Sequence, residues 1–143
     1  MTTPTDDQLA SLGAAFDSFA RRYKLQDALG SETQLNELDK QTLIYVADHP
    51  ECGPTDVARF LAVPNTTISS ATDRLVNRGL LERHRPAGDR RAVALRLSAD
   101  GKARADAIVA AYRDLYRRML EPLSPAERRS FIRMITKIVQ NGH

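Results

Sequence analysis

The sequence predicts a mainly α-helical protein with one small β-hairpin. In six separate stretches apolar residues recur at helical spacing, each stretch bounded by capping or chain-breaking residues. Only residues 80–97 alternate instead, around the turn-forming Pro86-Ala87-Gly88-Asp89. The 143 residues, 42% of them hydrophobic, fit one domain or one domain with helical extensions.

Leu9, Leu12, Phe16, Phe19 and Tyr23 stand three and four apart, which predicts an amphipathic helix over residues 6–27. Gly13 inside it costs about 1 kcal/mol relative to alanine and suggests close packing against another helix. Residues 29–34 read as a loop. Asn36 caps a second helix whose first turn carries Glu37 and Asp39, placed to favour the positive end of the helix dipole. Leu43, Ile44, Val46 and Ala47 form its apolar side, and His49-Pro50 ends it.

Gly53-Pro54 opens a third helix with Val57, Ala58 and Leu61 inward. After the short break Ala62-Val63-Pro64, a fourth helix points Ile68, Ala71 and Leu75 inward, with Gly79 suited to its C-terminal cap. Two short helices joined by a tight turn make a helix-turn-helix. Leu80–Arg85 and Arg91–Leu97 then form a hairpin, with Val93, Leu95 and Leu97 alternating with Ala94 and Arg96. Ser98 caps a fifth helix lined by Ile108, Ala111, Leu115 and Met119. Ser124-Pro125-Ala126-Glu127 fits a capping box for a sixth, striped by Phe131, Ile135 and Ile138 and widened by Ile132 and Val139.

The net charge is +3, but it is unevenly spread. Residues 59–104 hold ten basic and four acidic side chains, a net of +6, leaving −3 on the other 97 residues. A helix followed by a basic hairpin can fill a DNA major groove and touch the backbone or minor groove beside it. Asn65, Thr66, Thr67, Ser69 and Ser70 are the candidate base or phosphate contacts on the fourth helix. Arg74 and Arg78 follow on the same helix, and Arg83, Arg85, Asp89, Arg90 and Arg91 on the hairpin. Arg74 either contacts DNA or pairs with Asp73 or another acidic neighbour. Arg78, Arg83 and Arg85 suit phosphates better than bases.

Other chemistries find less support. There is no nucleophile elbow, phosphate-cradling glycine loop or His-Glu-x-x-His, so an enzyme is not expected, nor a cofactor. Cys52 raises a redox-sensing alternative, but the adjacent Glu51 disfavours a thiolate. His49 and Cys52 are too few ligands for a metal. The single cysteine and the acidic start MTTPTDDQLA point to a cytoplasmic protein. The terminal apolar stripes could pack within one chain or against a second copy. Their origin at opposite chain ends, and the gain a DNA reader makes by pairing, favour a homodimer. A winged-helix module that binds another protein remains the alternative of a different class.

The motifs VARFLAV, ISSATDRLVNRGLLER and DRRAVALRLSADGKA, in that order and flanked by helices of matching length, resemble the multiple-antibiotic-resistance regulator (MarR) family. The resemblance implies a winged helix-turn-helix over residues 36–97, with an N-terminal dimerisation helix and loop in 1–35 and dimerisation helices in 98–143. It implies a homodimeric repressor on a pseudo-palindromic operator, with the helix of residues 65–78 in the major groove. Arg91 matches the wing-tip arginine that enters the minor groove, and Asp89 its carboxylate partner. A small phenolic or aromatic ligand between the dimerisation helices and the DNA-binding lobe is implied in the same way. The chain departs from the pattern at Ser70, where a basic residue is common, and at Pro64, where a serine-like cap is usual.

Overall fold

The computed structural model describes residues 2–24, 35–86 and 92–142. They fall into two compact units, Met1–Asn36 and Glu37–His143. In the first, helix α1 (Asp6–Phe19) starts at a full capping box: Gln8 N donates to Thr5 Oγ1 at 3.1 Å and Thr5 N to Gln8 Oε1 at 2.9 Å. The predicted single helix over 6–27 instead widens into a π-helical turn, Ala20–Lys24, where Phe19 and Tyr23 meet with ring centroids 4.9 Å apart. No residue of α1 is buried, and Leu9, Leu12 and Phe16 are each more than half exposed. A Cβ at Gly13 would meet nothing within 4 Å, so the close packing expected there is not found among the described residues.

The second unit is built from α2 (Glu37–Asp48), α3 (Pro54–Leu61), α4 (Asn65–Asn77), β1 (Leu81–His84), β2 (Ala94–Leu97), α5 (Ala99–Leu120) and α6 (Pro125–Asn141). Its core is Leu43, Val46, Val57, Ile68, Ala71, Leu75 and Leu95, all essentially sealed from solvent. Burying each large member contributes about 1.5–3 kcal/mol. Ala47, expected on the apolar side of α2, is exposed, and Leu61 is only half-buried.

The two strands pair antiparallel with Leu81 opposite Leu97 and His84 opposite Ala94. The regular ladder is shorter than the predicted strands, and Ala94 is buried beside Leu95 instead of alternating with it. The reason lies in the packing: β2 touches α2 as well as α5, so both of its faces are covered. Cys52 supplies a third, one-residue edge. Leu95 N donates to Cys52 O at 2.8 Å and Glu51 N to Leu95 O at 2.9 Å.

The start of α5 locks onto the end of α4. Leu80 N donates to Leu75 O and Gly79 N to Val76 O, with Gly79 left-handed at φ 75°, which closes α4 in a Schellman turn. Ser98 Oγ donates to Gly79 O at 2.6 Å and accepts from Gly101 N at 2.9 Å. The Leu80 carbonyl lies so near Gly101 that a Cβ there would sit 1.9 Å from its oxygen. Only glycine fits that crossing.

Beyond Ile108, α5 buries nothing; Leu115 and Met119 are half-buried and Ala111 is exposed. Arg128 turns the α5–α6 corner by donating from Nε to Leu120 O at 2.9 Å. Helix α6 begins at its predicted capping box and has no buried residue. Among the described residues no helix is long and apolar enough to cross a membrane.

Candidate nucleic-acid interface

Helices α3 and α4 meet through the turn Ala62-Val63-Pro64. Ala62 takes the left-handed conformation (φ 57°), which costs a non-glycine residue about 1 kcal/mol. Val63 N donates to Ala58 O at 3.1 Å, so the strained residue ends α3 and aims the chain into α4. Pro64 caps α4 without a side-chain hydrogen bond. The departure from a serine-like cap thus leaves the N-terminal N–H groups of α4 without a side-chain acceptor, at the end of the helix that attracts anions.

The inner face of α4 is Ile68, Ala71, Thr72 and Leu75, all buried. That fixes what the outer face presents. Asn65, Thr66, Ser69 and Ser70 are exposed and Thr67 is half-buried. Among the described residues their side chains make no hydrogen bond, so these groups remain available to an external partner. The cluster was legible from the sequence because it is what remains once the three- and four-residue apolar spacing is assigned inward.

The cations divide into two sets. Arg74 Nη2 donates to Asp39 Oδ1 on α2 at 2.8 Å, and this hydrogen bond raises the Arg74 pKa further above its ordinary value. Asp39 is 4% exposed. Arg83 on β1 is paired with the Asp73 carboxylate and also donates to Thr72 Oγ1 at 3.1 Å. By contrast Arg78, the residue that ends α4, is exposed and forms no ion pair among the described residues. Arg85 is exposed at the outer end of β1. Asp89, Arg90 and Arg91, the predicted wing tip, lie outside the described residues.

Asp39 is the residue that sequence reasoning placed without seeing its role. It was assigned to the dipole of α2, whereas its carboxylate also receives a guanidinium 35 residues away. No helical or strand periodicity connects positions that far apart.

The Cys52 thiol is buried, and burial, with the Asp56 and Glu51 carboxylates adding to it, pushes its pKa up to about 11. A thiol held protonated is a poor nucleophile, which weighs against the redox alternative. His49 stacks on Tyr45 with ring centroids 4.2 Å apart, and among the described residues no three His, Cys, Asp or Glu side chains gather as metal ligands.

The chain thus carries a helix-turn-helix with a paired hairpin beside it and a sealed core beneath. Residues 33–92 match the family model described as MarR family. That segment is a MarR-family domain. The chain is 25% identical over 129 residues to YwhA of Bacillus subtilis, named as an uncharacterized HTH-type transcriptional regulator, covering 90% of this chain and 93% of that one. Its fold matches Streptococcus pneumoniae FabT, solved in complex with DNA, at a TM-score of 0.79 and 20% identity over 92% of both chains. It also matches the PcaV regulator of Streptomyces coelicolor, solved with its natural ligand, at 0.74 and 21% identity, covering 99% of this chain and all of that one. At these identities the two solved structures show that the chain shares their winged helix fold.

Proposed function

We propose that this chain is a homodimeric repressor that binds a pseudo-palindromic operator and blocks transcription by occupying it. The observation that carries the reading is the exposed, internally unbonded row Asn65, Thr66, Ser69 and Ser70 on a helix whose opposite face is fully buried. Set in a major groove, hydroxyls and an amide serve base edges and phosphates alike. Arg78 and Arg85 supply flanking charge for phosphates, and the wing tip, with Asp89 holding Arg91 and Arg90 beside it, enters the adjoining minor groove. Thr67 supports the row from its half-buried position.

Dimerisation uses the faces left bare in one chain. Ile132, Ile135, Ile138 and Val139 on α6 and Leu9, Leu12 and Phe16 on α1 are all exposed, a density of apolar surface that a monomer rarely leaves in water. FabT, of the same fold, is known in complex with DNA, which supports the operator; PcaV, known with its natural ligand, supports a small-molecule effector, for which the family resemblance suggests an aromatic or phenolic compound. Such an effector acts only by binding unequally to two spacings of the paired α4 helices.

Selection of bound fragments from random duplex DNA tests the reading. The expected product is a site with twofold symmetry and half-sites about one helical turn apart. On that site Arg91→Ala weakens binding and lowers the slope of log K against log salt by about one, with the dimer intact. Binding that is absent, or blind to sequence at moderate salt, overturns the proposal in favour of a protein-interaction module.

A further inference from the structure

We infer that α4 is fixed in its rotation by two opposed guanidinium–carboxylate pairs, and that Arg74 and Arg83 position the reading helix instead of contacting DNA. The inference rests on the reading of α4 as the DNA-reading helix. Asp73 and Arg74 are consecutive, so they leave the helix about 100° apart. Arg74 reaches to Asp39 on α2, and Asp73 receives Arg83 from β1. The helix is therefore tied to a neighbour on each flank, just beyond its hydroxyl-bearing turns.

The apolar face beneath cannot do this alone. Ile68, Ala71 and Leu75 must stay inward and so set the roll coarsely, but burial is non-directional and tolerates small rotations about the helix axis. A charged hydrogen bond at 2.8 Å is directional. A small roll within that tolerance would shift Ser69 and Ser70 out of register with the groove while keeping most of the apolar contact.

The two ties differ in strength. Asp39 is buried, so releasing Arg74 to a phosphate would take the guanidinium from a desolvated carboxylate, which costs more than a surface phosphate contact contributes. Asp73 and Arg83 are both substantially exposed, and their pair is the weaker tie. Arg74 is thus a cation on the DNA-facing helix that is spent on the protein, which concentrates base reading on the hydroxyl row and on the wing.

The test compares wild type, Asp39→Asn, Arg74→Met and the double variant on the selected site and on a random-sequence duplex of equal length, across a salt series. Each single variant is expected to weaken the selected site about tenfold or more, to leave the random duplex and the salt slope unchanged, and to add nothing in the double variant. A salt slope lowered by about one in Arg74→Met, with both duplexes weakened alike, overturns the inference and makes Arg74 a phosphate contact. Additive losses also overturn it.

Hydrogen exchange decides the clamp without DNA. Asp39→Asn is expected to speed exchange of α4 amides about tenfold while the first turns of α5 keep their protection. Unchanged α4 exchange overturns the clamp. Failure of the wild type to prefer any duplex removes the DNA reading and leaves the clamp to this measurement. Should Asp39→Asn not fold, Arg74→Met, on a side chain 45% exposed, carries both assays.

Discussion

From Glu37 to Ile108 each helix seals at least one face against its neighbours, whereas α6 and the outer half of α5 bury no residue at all. Both regions have apolar stripes at helical spacing, so the sequence pattern alone does not separate them. The difference lies in what stands opposite each stripe. In the lobe the opposing surface comes from the same chain; in the arm it has to come from elsewhere, and a second copy supplies it in the proposed dimer. Stability of the lobe should then be a property of one chain, and order in the arm a property of two.

The sharpest way to break the lobe is at its tightest contact. Gly101→Ala drives a methyl into the Leu80 carbonyl and is expected to destabilise the lobe by about 3 kcal/mol or more, read as a drop in urea midpoint. A midpoint within experimental error of wild type would show that the Ser98–Gly101 corner can slide. The arm answers to a different substitution. Ile135→Glu with Ile138→Glu is expected to weaken self-association at least about a hundredfold in sedimentation, with exchange protection of Leu75 and Leu95 retained. Loss of lobe protection at the same time would mean that the two regions are not separable.

Ser98→Ala removes a hydroxyl that caps α5 and also donates to Gly79 O, and should cost about 1–2 kcal/mol without changing association. The smallest effect is alkaline. The folded Cys52 pKa of about 11 lies above its ordinary 9.0, so the unfolded chain loses this proton first. The contribution is constant below pH 9, and stability falls as pH rises from there to 11. Cys52→Ala should flatten the first part of that window, from about pH 9 to 10, in a pH series of unfolding midpoints. Tyr112, raised from 10.0 to about 12 by burial and its hydrogen bond to Glu37, adds a decline from pH 10 upward that the variant should keep.

Much of the fold was legible because local rules determine it. The capping box at Ser124, the proline opening α3, Gly79 after α4 and the Ser98 cap of α5 all sit where a single chain segment decides the outcome. What escaped was contact between distant segments: the one-residue strand at Cys52, the burial of Ala94 by a second covering helix, and the Asp39–Arg74 tie. The π-helical turn at Ala20–Lys24 left no signal in spacing that a continued α-helix would not leave. In the candidate site, the hydroxyl row was read correctly as outward-facing, while the fate of each arginine depended on which carboxylate folding brought within reach.

Among the described residues the 22-residue helix α5 is buried only at its foot, at Gly101, Ala105 and Ile108, with one hydrogen bond from Tyr112 to Glu37 just beyond. At about 1.5 Å of rise per residue, the stretch beyond Ile108 extends about 18 Å from that foot. A tilt of about 10° at Ile108 therefore moves the far end of α5 by about 3 Å, close to the rise of two residues. With a fulcrum at Ile108 and its foot about 10 Å away at Gly101, the helix is a lever that enlarges a displacement near Leu80 a little under twofold at its far end.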